Sequence, residues 1–112
     1  KDMIIRKGYN IYPSLFESSI GKIPMVSECS MVGVYDEKVE DEKVVLFIVQ
    51  SEKHNLSKEK IMNLLSAGHY SIDAYAYPDE IIFIQDMPRS GRSRKINKSK
   101  LQELARQNLC IK

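Results

Sequence analysis

Tryptophan is absent from this 112-residue chain, and cysteine, histidine, proline and glycine are scarce at two, two, four and five residues. Cys29 and Cys110 stand eighty-one positions apart, which gives neither a metal-ligand spacing nor a disulfide framework. Reduced, inert thiols are expected, and with them a cytoplasmic setting. His54 and His69 each lack a second ligand at helical or turn spacing, so both are expected to be structural and no metal site is assigned. Long apolar runs are missing too. The longest, residues 44–49, is far too short to span a bilayer. No signal peptide or lipidation pattern is present. Nor does one sign of charge dominate: 17 Lys and Arg against 15 Asp and Glu leave +2, too little to indicate a nucleic-acid or membrane partner. Collagen, coiled coil, disulfide miniprotein and membrane protein are excluded together.

What is present reads as an ordinary globular composition, 43% apolar and 29% charged. Residues 1–112 have room for one domain, which at this size buries roughly two-thirds of its unfolded surface. Lys1 stands where an initiator Met would, almost inside a strand, so a domain cut from a longer protein is expected. Residues 3–5 and 10–12 are short β-prone pieces, with Gly8 placed to turn the chain between them at positive φ. Ser14 and Glu17 have capping-box spacing, and Phe16, Ile20 and Ile23 recur at helical spacing, giving a helix over 14–22. Residues 28–35 and 44–50 read as strands joined by an acidic turn. The second lacks polar alternation and is expected to be buried on both faces.

Ser57 fits an N-cap, with Leu56 and Ile61 as a hydrophobic staple, Ile61, Leu64 and Leu65 as the stripe and Gly68 as the stop. A loop over 75–78, a strand over 80–85 and a long polar loop over 87–95 follow. Leu101, Leu104, Ala105 and Leu109 make the last helix amphipathic. The expected fold is a small α/β (α+β) domain: a three-stranded sheet covered by helices, preceded by a short β-hairpin.

Residues 88–100 carry six basic side chains and no acid. Gly and Ser let such a segment approach phosphate closely, while Lys and Arg neutralise it. On composition alone, a solvated basic loop before a helix is the preferred reading. Nucleic-acid binding is disfavoured, because the tyrosines that would stack on bases lie elsewhere in the sequence. Those tyrosines read more simply as packing residues, and Glu17 as a helix cap.

The order of four segments says more. Lys1-Asp2-Met3-Ile4-Ile5-Arg6-Lys7-Gly8-Tyr9-Asn10-Ile11-Tyr12-Pro13, with Glu17 beyond, opens the chain. Val32-Gly33-Val34-Tyr35-Asp36-Glu37 comes next, then Tyr75-Ala76-Tyr77-Pro78 with Met87-Pro88-Arg89-Ser90, and last Lys95-Ile96-Asn97-Lys98 with Leu101. Together they resemble the small C-terminal domain of adenylate-forming enzymes: acyl-CoA synthetases, aryl-CoA ligases and peptide-synthetase adenylation domains. The resemblance covers nearly the whole chain.

It implies a lid that swings over a large N-terminal ATP-binding domain, which these residues do not include. It further implies a reaction of a carboxylic acid with ATP, accompanied by Mg2+, to give acyl-AMP, which coenzyme A or a phosphopantetheine thiol then attacks. By the same resemblance Lys95 is the adenylation lysine, Lys7, Gly8 and Tyr9 line the thiol channel, and Lys1 and Asp2 form the hinge. The 112 residues alone are expected to be inactive.

Several positions depart from the family pattern. Leu15 replaces a Glu, Tyr35 a Pro, Ala76 a Lys and Arg94 a Gly, and the loop before Lys95 is one residue longer. Counting from Pro88 puts Arg94 in the catalytic slot, whereas counting back from Ile96 and Leu101 puts Lys95 there. The downstream count is preferred, because a flexible loop accepts an insertion more readily than a helix start. Two other readings stay open: the lid of a carrier-protein-loading adenylation domain, and a non-catalytic binding module.

Overall fold

A computed structural model describes residues 2–51 and 56–111. Lys1 and His54, both assigned roles above, lie outside the described residues.

Strands β1 (Ile4–Arg6) and β2 (Tyr9–Ile11) form an antiparallel hairpin in register Ile4 to Ile11 and Arg6 to Tyr9. Its two-residue turn is Lys7-Gly8, with φ of 52° and 82°. Positive φ at both positions gives the turn a twist that matches the flanking strands. Helix α1 (Pro13–Ile20) follows at once. It begins one residue earlier than the expected 14–22 and without the capping box: Tyr12 is the N-cap, no side chain caps it, and Pro occupies the first turn. Proline's preset φ and missing N–H make it a ready first-turn residue.

The main sheet is β3 (Val26–Asp36), β4 (Asp41–Gln50) and β5 (Glu80–Phe83), in that spatial order. The β3–β4 pair is antiparallel and β4–β5 parallel, with the crossover carrying α2 (Lys58–Ser66) and a 3-10 turn at Ala74–Ala76. Ser57 caps α2 as expected, its hydroxyl accepting from the Lys60 N–H at 3.2 Å. Central β4 is buried on both faces. Val44, Leu46 and Ile48 join a core with the hairpin's Ile4 and Ile11, α1's Phe16 and Ile20, and α2's Ile61 and Leu65. Val45 and Phe47 look the other way, onto Leu101 and Ala105 of the last helix. Side chains alternate across a strand, so a continuous apolar run fills two cores at once.

The expected polar loop over 87–95 is instead a second hairpin. Strands β6 (Arg89–Ser90) and β7 (Lys95–Ile96) pair antiparallel, Arg89 with Ile96 and Ser90 with Lys95. Gly91 and Arg94 take φ of 74° and 58° in its four-residue loop. Helix α3 (Lys98–Leu109) then runs from an Asn97 cap, whose Oδ1 accepts from the Lys100 N–H at 3.0 Å. Among the described residues no helix is long and apolar enough to cross a membrane.

Candidate functional site

The first hairpin is held from beneath. Arg6, 9% exposed, donates from Nη1 to Asp79 Oδ2 and from Nη2 to the Tyr75 carbonyl, both at 2.6 Å. Asp79 Oδ2 also accepts from the Val44 N–H at 2.8 Å, which ties Arg6 to the central strand. Two acids at the start of β4 grip the hairpin's backbone: Glu42 accepts from the Ile5 N–H and Asp41 from the Lys7 N–H, each at 3.0 Å. The grip on Lys7 supports a non-glycine residue at positive φ, a conformation that normally costs about 1–2 kcal/mol.

Above the turn the chain leaves space. A Cβ on Gly8 would meet no atom within 4 Å. Tyr9, 56% exposed, stacks on Tyr75 with centroids 5.0 Å apart and planes 15° from parallel. Tyr9 and Tyr75 therefore form an exposed aromatic face beside Lys7 and Gly8, where the sequence suggested packing. A hydrogen bond to Asp73 is the main cause that raises the Tyr75 hydroxyl above its ordinary pKa.

The second hairpin presents charge. Ile96 packs into the α3-side core, so Lys95, the adjacent strand residue, faces solvent. Arg89 braces the loop, donating from Nη1 to the Arg94 carbonyl at 3.0 Å and pairing through Nη2 with Glu28. Arg94 thus serves the turn through its backbone. The side chain of Lys95 has no bonded partner among the described residues. The hairpins attach at opposite ends of the long strand pair: the first at Asp41 and Glu42, the second at Glu28. Glu42 lies opposite Tyr35, seven residues along β3 from Glu28, a separation of roughly 23 Å.

Between them sits a cluster that sequence reading missed. Lys98 Nζ donates to Glu17 Oε2 at 2.8 Å, to Asp2 Oδ2 at 2.8 Å and to the Met31 carbonyl at 3.1 Å. Glu17 is therefore no helix cap. Its Oε2 also accepts from the Met31 N–H at 2.7 Å, bolting α1 to β3 and α3. No local signal in the sequence marks it, because the Ser14–Glu17 spacing also fits a capping box and the true partners, Met31 and Lys98, are remote in the chain.

Cys29 lies beside this cluster, and burial, with the Glu17 charge second, pushes its thiol up to about 12. A thiol held protonated in this way is a poor nucleophile, consistent with the inert cysteine expected. Among the described residues no group of three or more His, Cys, Asp or Glu side chains could hold a metal ion.

Comparison with known proteins agrees with this architecture. Residues 15–95 match the family described as AMP-binding enzyme C-terminal domain. The chain is 34% identical over 104 residues to the indoleacetate–CoA ligase of Aromatoleum aromaticum, covering 93% of this chain and 19% of that protein. It is 36% identical over 110 residues to the mitochondrial medium-chain acyl-CoA ligase of Mus musculus, covering 97% and 17%. A solved fatty acyl CoA synthetase from Mycobacterium tuberculosis superposes with a TM-score of 0.80 at 32% identity, over 96% of this chain and 20% of that one.

The chain belongs to the AMP-binding enzyme C-terminal domain family, within the adenylate-forming superfamily. It spans about a fifth of the length of the curated relatives it matches.

Proposed function

We propose that residues 1–112 form the mobile C-terminal domain of a larger AMP-forming acid–thiol ligase, whose N-terminal domain binds ATP and a carboxylic acid. The observation that carries this reading is the placement of two exposed hairpins at opposite ends of β3 and β4. A rigid body carrying Lys95 at one end and Lys7, Gly8 and Tyr9 at the other serves one reaction centre with only one end at a time. It must turn between two steps.

In the first pose Lys95 enters the centre. Its ammonium, without a bonded partner among the described residues, lies against the acid's carboxylate and the α-phosphate oxygens as pyrophosphate departs. A compact charge on a flexible stem suits two differently placed oxygens better than a planar guanidinium. In the second pose the first hairpin faces the centre, and the thiol reaches the acyl carbon along Lys7, Gly8 and Tyr9 as AMP leaves. Gly8 keeps the approach open, since a side chain there would project into unfilled space. Lys1 and Asp2 take up the rotation.

ATP supplies the adenylyl group and coenzyme A the thiol. No residue of this chain is assigned to the Mg2+ that accompanies ATP. Relatives named as CoA ligases favour coenzyme A over a carrier-bound phosphopantetheine.

The test is the full-length protein with a panel of carboxylic acids. ATP–pyrophosphate exchange and CoA thioester formation are both expected with at least one acid, and neither from the 112-residue chain. Tight binding of ATP to that chain alone, by calorimetry, would overturn the reading and favour a phosphate-binding module.

A further inference from the structure

Resting on that reading, we propose that Asp2 and Lys98 form a releasable clip that sets the direction in which the N-terminal segment leaves this domain. Lys98 has two carboxylate partners of different standing. Glu17 is 22% exposed, also accepts from the Met31 N–H, and belongs to the body of the domain. Asp2 is 46% exposed and, among the described residues, forms only this pair. Releasing Asp2 therefore strands no charge. The ammonium keeps Glu17 and the Met31 carbonyl, while Asp2 passes into water.

An exposed pair of this kind contributes little to stability and is screened by salt, which suits a contact that opens in each cycle. The partly buried half does not open, because a lysine left without it would lie unpaired against β3. Lys98 is also only three residues beyond Lys95 and begins the helix that follows the second hairpin. The clip thus fastens the hinge end of the chain to the base of the element that carries Lys95. It is a positioning device, and it biases the domain toward one of its two poses.

The first measurement needs no substrate. In the 112-residue chain, whose strands pack two cores of their own, NMR should show Overhauser contacts from the Lys98 ε-methylene to both Asp2 and Glu17. Added salt at 1 M should remove the Asp2 contact and leave the Glu17 contact. Absence of the Asp2 contact at low salt would overturn the clip.

The second measurement uses the full-length enzyme. Asp2→Asn should change the ratio of adenylation rate to thioester-forming rate at least threefold while leaving the melting temperature unchanged. In a Lys98→Gln background the same substitution should have no further effect. Glu103→Gln, which removes an exposed pair with Lys100 on the same helix, should leave the ratio alone. An unchanged ratio in Asp2→Asn, or an equal change in the Lys98→Gln background, would overturn the positioning role. Should no acid support either half-reaction, the ligase reading falls, and the Overhauser contacts alone decide the clip.

Discussion

The two hairpins of this domain are built from the same kind of pairing but are held very differently. In the first, Ile4 and Ile11 are 2% and 0% exposed, and Arg6 is anchored beneath the sheet to Asp79. Its turn is two residues long and its backbone is gripped by Asp41 and Glu42. In the second, two-residue strands carry a four-residue loop, only Ile96 packs inward, and Arg92, Arg94 and Lys95 are exposed. One is a wall, the other an arm. Under the proposed function, a wall would suit a channel that must keep its bore, and an arm a charge that must reach into a partner domain and withdraw.

The largest expected effect falls on the arm. Lys95→Ala in the full-length enzyme should lower pyrophosphate exchange a hundredfold or more, about 3–4 kcal/mol at the transition state, with thioester formation from supplied acyl-AMP preserved. Arg94→Ala should do much less, because Arg94 contributes its backbone to the turn. A larger loss from Arg94→Ala would transfer the role by one position.

Next comes the seat of the wall. A Cβ on Gly33 would lie 2.7 Å from Glu42 Oε1 and 2.8 Å from two carbons of Ile4. Gly33→Ala should therefore lift the first hairpin and cost about 1–3 kcal/mol, as overpacking does. Thermal unfolding of the 112-residue chain reads this directly, and a melting temperature equal to wild type would show the hairpin to be as loosely held as the arm.

A smaller effect is expected at the lip of the wall. Gly8→Leu should slow thioester formation about tenfold, equivalent to ~1.4 kcal/mol, with adenylation nearly intact. Part of any stability loss comes from a side chain at φ of 82°, so Gly8→Asn, which tolerates that region, separates strain from obstruction. Equal slowing of both half-reactions by Gly8→Leu would remove the residue from the channel.

The smallest effect tests the body to which both hairpins attach. The Cys29 thiol, raised from 9.0 to about 12 by burial first and by the Glu17 charge second, should resist alkylation at pH 8, where exposed Cys110 reacts. Because the folded state holds the proton more tightly, this contribution to stability is complete below pH 9. It is lost as pH rises from 9 toward 12. Mass spectrometry after a brief iodoacetamide pulse should find one label, at Cys110.

Much of this was legible in the residues. The apolar run from Val44 onward announced a strand buried on both faces, since no polar position interrupts it. Ser57 announced the start of α2, and Gly8 announced the first turn, because these are local rules in which a residue's own chemistry selects its backbone. The ordered motifs announced the family. The second hairpin escaped notice because two-residue strands leave no periodicity to read, and its pairing depends on Ile96 finding the α3-side core. The capping-box reading of Glu17 failed for a related reason. Spacing identifies who could bond locally, but the carboxylate found better donors in Met31 and Lys98, fourteen and eighty-one positions away.

Sequence by itself determined the three helices, the main-sheet strands, the two-faced core strand, the first turn and the family, all of which follow from local propensity and ordered pattern. Only the tertiary structure decided which charges meet. It set Arg6 on Asp79, gave Lys98 to Glu17 and Asp2, stacked Tyr9 on Tyr75, and left Lys95 without a partner among the described residues. The physical reason is that a charge or ring is satisfied by whatever folding brings within a few ångströms, and that proximity is set by packing of the whole chain rather than by neighbours in sequence.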